Sequence, residues 1–145
     1  MKARKVVARW PVAPGGSPVG MSIDRQKGRL FIGCRKPQKL IVMSTTDGKV
    51  LADLPIGAGV DATQFYAGQA FASCRDGSLA VAKETSPGKF EIDQVVKTPI
   101  GARTMGIDPA AQKIYLPTAE FESATANGRP APKPGSFMIV VVAPQ

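Results

Sequence analysis

The stretch GMSIDRQKGRLFIGCR at residues 20–35 sets the pattern of the chain because related stretches follow it twice. ATQFYAGQAFASCR at 62–75 and TMGIDPAAQKIYLPTA at 104–119 align with it. In this alignment the aromatic residues coincide at Phe31, Phe71 and Tyr115. These positions are 40 and 44 residues apart. A period of this size is typical of repeat architectures and predicts three related units.

Each unit contains further β-type runs after the repeated stretch. A third run occurs in all three units: KLIVMS (39–44), SLAVAKE (78–84) and SFMIVVV (136–142). A fourth run occurs in the first two units: KVLADLPIG (49–57) and KFEIDQVVKTPIG (89–101). Turn-forming pairs lie between runs, as hairpins require, at Asp47-Gly48, Asp76-Gly77 and Pro87-Gly88. The pattern predicts three or four short strands in each unit.

A unit of this length with four antiparallel strands is typical of a β-propeller blade. The 15 Gly and 13 Pro residues argue against helical repeats of similar period. We therefore expect an all-β fold, a β-propeller with three four-stranded blades in one partial domain over residues 1–145. The predicted parts are a closing outer strand at 5–12, blade 1 at 17–57, blade 2 at 59–101, and blade 3 at 102–145 with a Pro-rich loop at 120–136.

The repeated phrases resemble a known family over essentially the whole chain. GMSIDRQKGRLFIGCR, GKVLADLPIGAGVDA, ASCRDGSLAVAKETSPGKFE and GARTMGIDPAAQKIYLPTAEF are similar to the YVTN-repeat, YncE-like β-propellers of bacteria, and more distantly to lactonase-type propellers. The resemblance implies the propeller fold and suggests a periplasmic or extracellular location, since members are usually exported. Members are about twice this length or more, so three blades depart from the pattern. A fold shared by many functions does not choose an activity.

The two ends of the sequence are out of phase. KVVARWPV at 5–12 matches KVLADLPI at 49–56, which is the fourth strand of blade 1, whereas the last unit ends after its third strand. Propellers close their rings by this kind of arrangement. Three blades are too few for a closed ring, and a free wedge would expose two apolar faces and an unpaired strand.

We expect a homodimer, because a second copy would complete a six-bladed ring. Residues 5–12 of each subunit would pair beside 136–142 of the other, in a twofold arrangement. A trimer with nine blades fits less well. The alternative is that the sequence is part of a longer propeller, which explains the same ends. A Met directly before the first strand favours the homodimer.

Propeller geometry predicts where a ligand would bind. First strands begin, and second strands end, on one face of the ring near its channel. The residues at these positions are Val19, Asp61 and Arg103, then Arg35, Arg75, Ala119 and Glu120. The charged ones, Arg35, Arg75, Arg103, Asp61 and Glu120, predict a site for a polar or anionic ligand, since guanidinium groups suit carboxylates and phosphates. Alternatively, Arg35 and Arg75 join neighbouring blades through Asp61 in structural ion pairs.

Catalysis is the weaker expectation. The chain has no His, which excludes Ser-His-Asp catalysis and imidazole-based zinc sites. No phosphate-binding glycine loop or nucleophile elbow is present, so we predict no catalytic residues, no metal and no cofactor. A lactonase-like metal-dependent hydrolase remains an alternative, with Asp61 and Glu120 as its carboxylates. Cys34 and Cys74 hold equivalent positions on adjacent blades, too far apart for a disulfide, and are expected to pack.

The net charge of +8 admits nucleic acid as a partner. The basic residues cluster in three groups: Lys2, Arg4, Lys5 and Arg9; Arg25, Lys27 and Arg29; and Arg35, Lys36 and Lys39. One Trp, two Tyr and six Phe give little support for base stacking, so nucleic acid is a weaker alternative. MKARKVVARW has no apolar run typical of a signal peptide, and the longest apolar stretch, 138–144, predicts no membrane span.

Overall fold

The computed structural model describes residues 3–123 and 130–144, which form three antiparallel sheets. The first sheet, blade 1, contains β1 (Pro18–Asp24), β2 (Arg29–Arg35), β3 (Gln38–Ser44) and β4 (Val50–Pro55). The second, blade 2, contains β5 (Val60–Tyr66), β6 (Gln69–Cys74), β7 (Ser78–Ser86) and β8 (Lys89–Lys97). The third, blade 3, contains β9 (Gly106–Asp108), β10 (Lys113–Thr118) and β11 (Met138–Val142).

Strands pair with their sequence neighbours in every sheet. The order is β1-β2-β3-β4 in blade 1, β5-β6-β7-β8 in blade 2 and β11-β10-β9 in blade 3. The all-β prediction is confirmed, and the described residues contain no helix, hence none that could cross a bilayer. Blade 3 has three strands among the described residues, where the prediction gave each blade four.

The turns follow from local chemistry. Gly48, Gly77 and Gly88 have φ values of 70°, 91° and 77°, which suit glycine in the hairpin turns that precede β4, β7 and β8. Asp24 ends β1, and its Oδ1 accepts hydrogen bonds from the backbone N–H groups of Gln26 at 2.9 Å and Lys27 at 3.2 Å. Asp108 ends β9 and closes the corresponding turn in the same way.

Apolar side chains fill the spaces between the blades. The core between blades 1 and 2 includes Phe31, Leu40, Leu54, Val60 and Phe90. The core between blades 2 and 3 includes Phe71, Leu79, Met105, Ile114 and Leu116. Successive side chains of a strand point to opposite faces of a sheet, so blade 2 contributes to both of these cores.

The other side of blade 1 presents four buried residues, which we call its front face: Ile32, Cys34, Ile41 and Met43. Val12 packs against this face. A Cβ at Gly15 would lie 2.7 Å from both Cys34 Sγ and Ile41 Cγ1, so the backbone there lies directly on the sheet. The N-terminal segment therefore covers the front face of its own chain.

The segment predicted as a closing strand, residues 5–12, forms no ladder in the single chain. Trp10 lies over Gly48, where an added Cβ would collide with the indole. Val6 and Val7 are largely exposed. A strand is defined by its hydrogen-bonded neighbour, so pairing of this segment with a second copy stays a prediction.

The Pro-rich segment at 120–136 begins and ends as a short extended pair. Glu122 N–H donates to the Ala131 carbonyl at 2.9 Å, and Lys133 N–H donates to the Glu120 carbonyl at 2.8 Å. A single bridge joins Phe121 and Pro132. The turn predicted at Asn127-Gly128 lies outside the described residues.

Candidate functional site

The residues that precede the first strands of the three blades share an unusual backbone conformation. Ser17, Gly59 and Gly101 have φ values of 50°, 72° and 90°. Arg35 N–H donates to the Ser17 carbonyl at 3.2 Å, and Arg75 N–H donates to the Gly59 carbonyl at 3.1 Å. In blades 1 and 2 these bonds hold the end of the second strand beside the start of the first strand. We call the resulting face the channel mouth.

Arg35 joins blade 1 to blade 2 at the channel mouth. Its Nη2 lies 3.0 Å from Asp61 Oδ1, and its Nε donates to the Val60 carbonyl at 2.8 Å. The Thr104 hydroxyl, which precedes β9, donates to Asp61 Oδ2 at 3.0 Å. Asp61 therefore links all three blades. For Arg35, the geometry is that of the structural ion pair considered as the alternative interpretation.

Arg75 and Arg103 have a different environment. Both residues are exposed, and neither side chain forms an ion pair or hydrogen bond with the described part of the chain. The backbone carbonyls of both residues accept hydrogen bonds. The Arg75 carbonyl accepts from the Gly101 N–H at 2.8 Å, and the Arg103 carbonyl accepts from the Ser73 hydroxyl.

The repeat alignment explains the difference between the two junctions. Arg75 corresponds to Arg35, and Arg103 corresponds to Asp61. The positions that hold an arginine and an aspartate at the junction of blades 1 and 2 thus hold two arginines at the junction of blades 2 and 3. The ion pair of the first junction therefore has no counterpart at the second junction, where both equivalent residues are cations.

Glu120 belongs to the base of the Pro-rich loop. Its Oε2 lies 3.1 Å from Lys133 Nζ, in a pair whose side chains are 60% and 50% exposed. Glu120 N–H donates to the Ser136 hydroxyl at 3.1 Å. Asp61 and Glu120 therefore have different partners. Among residues 3–123 and 130–144, no three carboxylates or thiols come together as the ligands of a metal ion.

The two cysteines are free thiols, fully buried in the blades. Burial raises the pKa of Cys34 above its ordinary value. Burial, with the nearby Asp76 carboxylate, raises the pKa of Cys74 to about 11. Because the thiolate is the reactive form, both environments oppose nucleophilic or metal-binding roles and agree with packing.

The basic clusters are partly neutralised. Lys27 Nζ lies 2.7 Å from Glu84 Oε2 on blade 2, and Lys39 pairs with Asp53 on the neighbouring strand. Arg9 and the other described basic residues of the N-terminal segment are exposed. Lys2 lies outside the described residues. Three of the clustered basic residues, Lys27, Arg35 and Lys39, therefore pair with carboxylates of the described chain.

Three polar side chains that the repeat pattern does not single out connect the blades. Besides Thr104 and Ser73, the buried Thr63 hydroxyl donates to the Phe31 carbonyl at 3.2 Å. The sequence does contain one signal that could have identified these side chains: each is a polar residue at a repeat position where the other copies have an apolar residue or glycine. Thr63 aligns with Met21 and Met105, and Ser73 aligns with Gly33 and Pro117.

No family model and no curated protein sequence matches this chain. Solved structures do match. Hydrazine synthase of Kuenenia stuttgartiensis is similar with a TM-score of 0.68 at 12% identity, over 87% of this chain and 34% of that one. Sqt1 of Saccharomyces cerevisiae has a TM-score of 0.59 at 18% identity, over 88% of this chain and 32% of that one.

An oxidoreductase of Thermus thermophilus, described as a glucose dehydrogenase, has a TM-score of 0.55 at 19% identity. That match covers 84% of this chain and 42% of the other. This chain therefore spans between 32% and 42% of the length of these proteins. At such identities the similarity concerns the fold alone, and the fold it supports is that of a β-propeller.

Proposed function

We propose that this chain is a non-catalytic β-propeller scaffold that binds an anionic ligand at the channel mouth through Arg75 and Arg103. The observation that supports it most is the contrast between the two blade junctions. Arg35 and Asp61 form a 3.0 Å ion pair at the first junction, whereas two exposed arginines occupy the equivalent positions at the second. A carboxylate or phosphate with two acceptor oxygens is the complementary ligand.

Titration with inorganic phosphate and with citrate, followed by NMR, tests this proposal. We expect both anions to shift the arginine Nε–H signals of Arg75 and Arg103, and binding to weaken at high salt. Arg75→Gln and Arg103→Gln should each weaken binding at least about tenfold. Lys113→Gln is the matched control, since Lys113 is an exposed cation at the start of β10, away from the channel mouth. Equal weakening by Lys113→Gln, or no binding, would reject the site.

We also propose that a second copy completes the ring, with residues 5–12 as the fourth strand of its partner's blade 3. In the repeat alignment Trp10 and Val12 correspond to Leu54 and Ile56 of the fourth run in blade 1. Leu54 and Ile56 pack into the core between blade 1 and blade 2. Val12 packs on the front face of blade 1 in the corresponding manner. This correspondence supports the proposal that the segment serves as the outer strand of a preceding blade.

Blade 3 offers the complementary surface. On β11, Ile139 and Val141 are 59% and 51% exposed, although both are β-branched residues suited to a buried sheet face. A groove of about 590 Å³ lies between blades 2 and 3 and is lined by the ends of the two sheets, including Val96 and Val142. At the first junction β4 packs beside β8, which supports a place for a fourth strand of blade 3 at the outer end of this groove, beside Val96 and Val142.

A further inference from the structure

A second cavity, of about 230 Å³, lies between blades 1 and 2 at the end of the sheets opposite the channel mouth. It is formed by the β1–β2 turn, the β5–β6 turn and the adjoining ends of β7 and β8. Since one water occupies about 30 Å³ in the liquid, the space suits a molecule with a single ring. This cavity is separate from the Arg75 and Arg103 site, so a ligand here would be independent of the proposed function.

The wall of the cavity is aromatic. The rings of Phe31 and Phe65 stack with their centroids 5.2 Å apart and their planes within 8°. Phe90 meets Phe31 edge to face, with centroids 6.1 Å apart. All three line the cavity. The wall would therefore favour an apolar and, above all, an aromatic group.

The charged residues around the cavity are paired, with one exception. Both carboxylate oxygens of Glu84 are occupied, by Lys27 Nζ at 2.7 Å and by the Gly88 N–H at 2.7 Å. Lys83 pairs with Asp93 on the neighbouring strand. The buried Asp24 carboxylate accepts two backbone N–H groups of its own turn. Each of these groups therefore already has at least one charged or backbone partner.

The exception is Arg29, at the start of β2. Its Nη1 donates to the Lys27 carbonyl at 3.1 Å, but its Nε is buried and has no hydrogen-bond partner in the described residues. Its guanidinium forms no ion pair with any described carboxylate. A buried donor without an acceptor is costly, so Arg29 keeps unused hydrogen-bonding capacity at the wall of the cavity.

We propose that this cavity binds a small carboxylate with an aromatic or apolar body, the carboxylate on Arg29 and the body against Phe31, Phe65 and Phe90. The repeat alignment supports a ligand site between blades 1 and 2 and not between blades 2 and 3. Gln69 holds the position equivalent to Arg29 at the second junction, and Ile107 holds that of Phe65. The cation and the aromatic stack thus occur together at one junction of the described chain.

Phenylacetate is a suitable probe, with acetate and benzyl alcohol as compounds that each lack one half of it. In an NMR titration of the wild-type protein we expect phenylacetate to give a saturable shift of the Arg29 Nε–H signal and of the Phe65 ring protons. Acetate and benzyl alcohol should bind at least about tenfold more weakly. Absence of a saturable shift at Arg29, or shifts confined to Arg75 and Arg103, would overturn the proposal.

Arg29→Lys keeps the charge and removes the Nε donor, and it should weaken phenylacetate binding at least about tenfold. Arg25→Lys is the matched control, because Arg25 is exposed in the same turn and does not line the cavity. Unchanged binding by Arg29→Lys would also contradict the proposal. If that variant does not fold, the wild-type titration decides the question alone.

Discussion

Arg35 Nη2 lies 3.0 Å from Asp61 Oδ1, and this one pair joins the end of β2 in blade 1 to the start of β5 in blade 2. Because Asp61 also accepts the Thr104 hydroxyl at 3.0 Å, a single carboxylate organises the mouth across three sheets. The side chains of Arg35 and Asp61 are 38% and 26% exposed. Partial burial lets such a pair contribute more than a fully exposed one.

Asp61→Asn tests that role. The substitution removes the charge from two interblade bonds, so we expect the free energy of unfolding to fall by about 1–2 kcal/mol. Urea unfolding followed by circular dichroism measures the change. Asp47→Asn is the matched control, since Asp47 is on an exposed turn and its partners Ser44 and Lys49 belong to the same hairpin, so its midpoint should move less. An unchanged midpoint for Asp61→Asn would show that the link is unimportant.

The raised pKa of Cys74 predicts a loss of stability in alkali. Its folded pKa of about 11 lies above the ordinary value of 9.0, so the folded state holds the thiol proton more tightly than the unfolded state does. The stabilisation is complete below pH 9 and is lost as the pH rises toward 11. At about 1.4 kcal/mol for each pH unit, the loss reaches at most about 3 kcal/mol.

Urea midpoints of the wild type and Cys74→Ala from pH 8 to pH 11 measure this effect. The difference between the two proteins should shrink over that range, because lysine and tyrosine titration is common to both. A constant difference would show that the thiol is not protected from ionisation.

Gly48 and Gly88 provide a matched pair of substitutions. Both have positive φ in hairpin turns, but a Cβ at Gly48 would meet Trp10, whereas a Cβ at Gly88 has nothing within 4 Å. Gly88→Ala should therefore cost only the backbone strain, about 1 kcal/mol. Gly48→Ala should cost more and shift the fluorescence of the single tryptophan to the red. Equal effects on stability and no spectral change would show that Trp10 does not pack there.

The repeat in the sequence is sufficient to predict the strands of the three sheets, although not the unpaired conformation of residues 5–12 in the single chain. A pattern of alternating apolar residues and Asp-Gly or Pro-Gly turns depends on local chemistry, which each copy carries for itself. The left-handed conformation shared by Ser17, Gly59 and Gly101 escapes prediction at Ser17, because serine, unlike glycine, rarely adopts it.

The sequences of their own strands do not predict that Arg35 forms an ion pair and that Arg75 forms none with the described residues. Both follow a cysteine at the end of a second strand. What separates them is the residue that starts the next blade, Asp61 in one case and Arg103 in the other. Side-chain pairing across a junction depends on two units at once. The repeat aligns the units but does not by itself say which contacts they form.

The packing of Val12 and Gly15 on the front face of blade 1 likewise depends on tertiary contacts, so the sequence of the segment alone does not predict it. The match of 5–12 to a fourth strand predicts where this segment belongs, and its position on blade 1 agrees with the proposal that it completes another copy's blade 3. Val141→Lys tests that surface. Val141 is half exposed in the single chain, so the substitution should leave the sheets folded but should prevent association.

The mass of the protein in solution tests the central claim most directly. Size-exclusion chromatography with light scattering, at micromolar concentration, should give twice the chain mass of 15.2 kDa for the wild type and a single chain mass for folded Val141→Lys. A wild-type protein that is well folded by circular dichroism and has the mass of one chain would contradict the completion of the ring by a second copy.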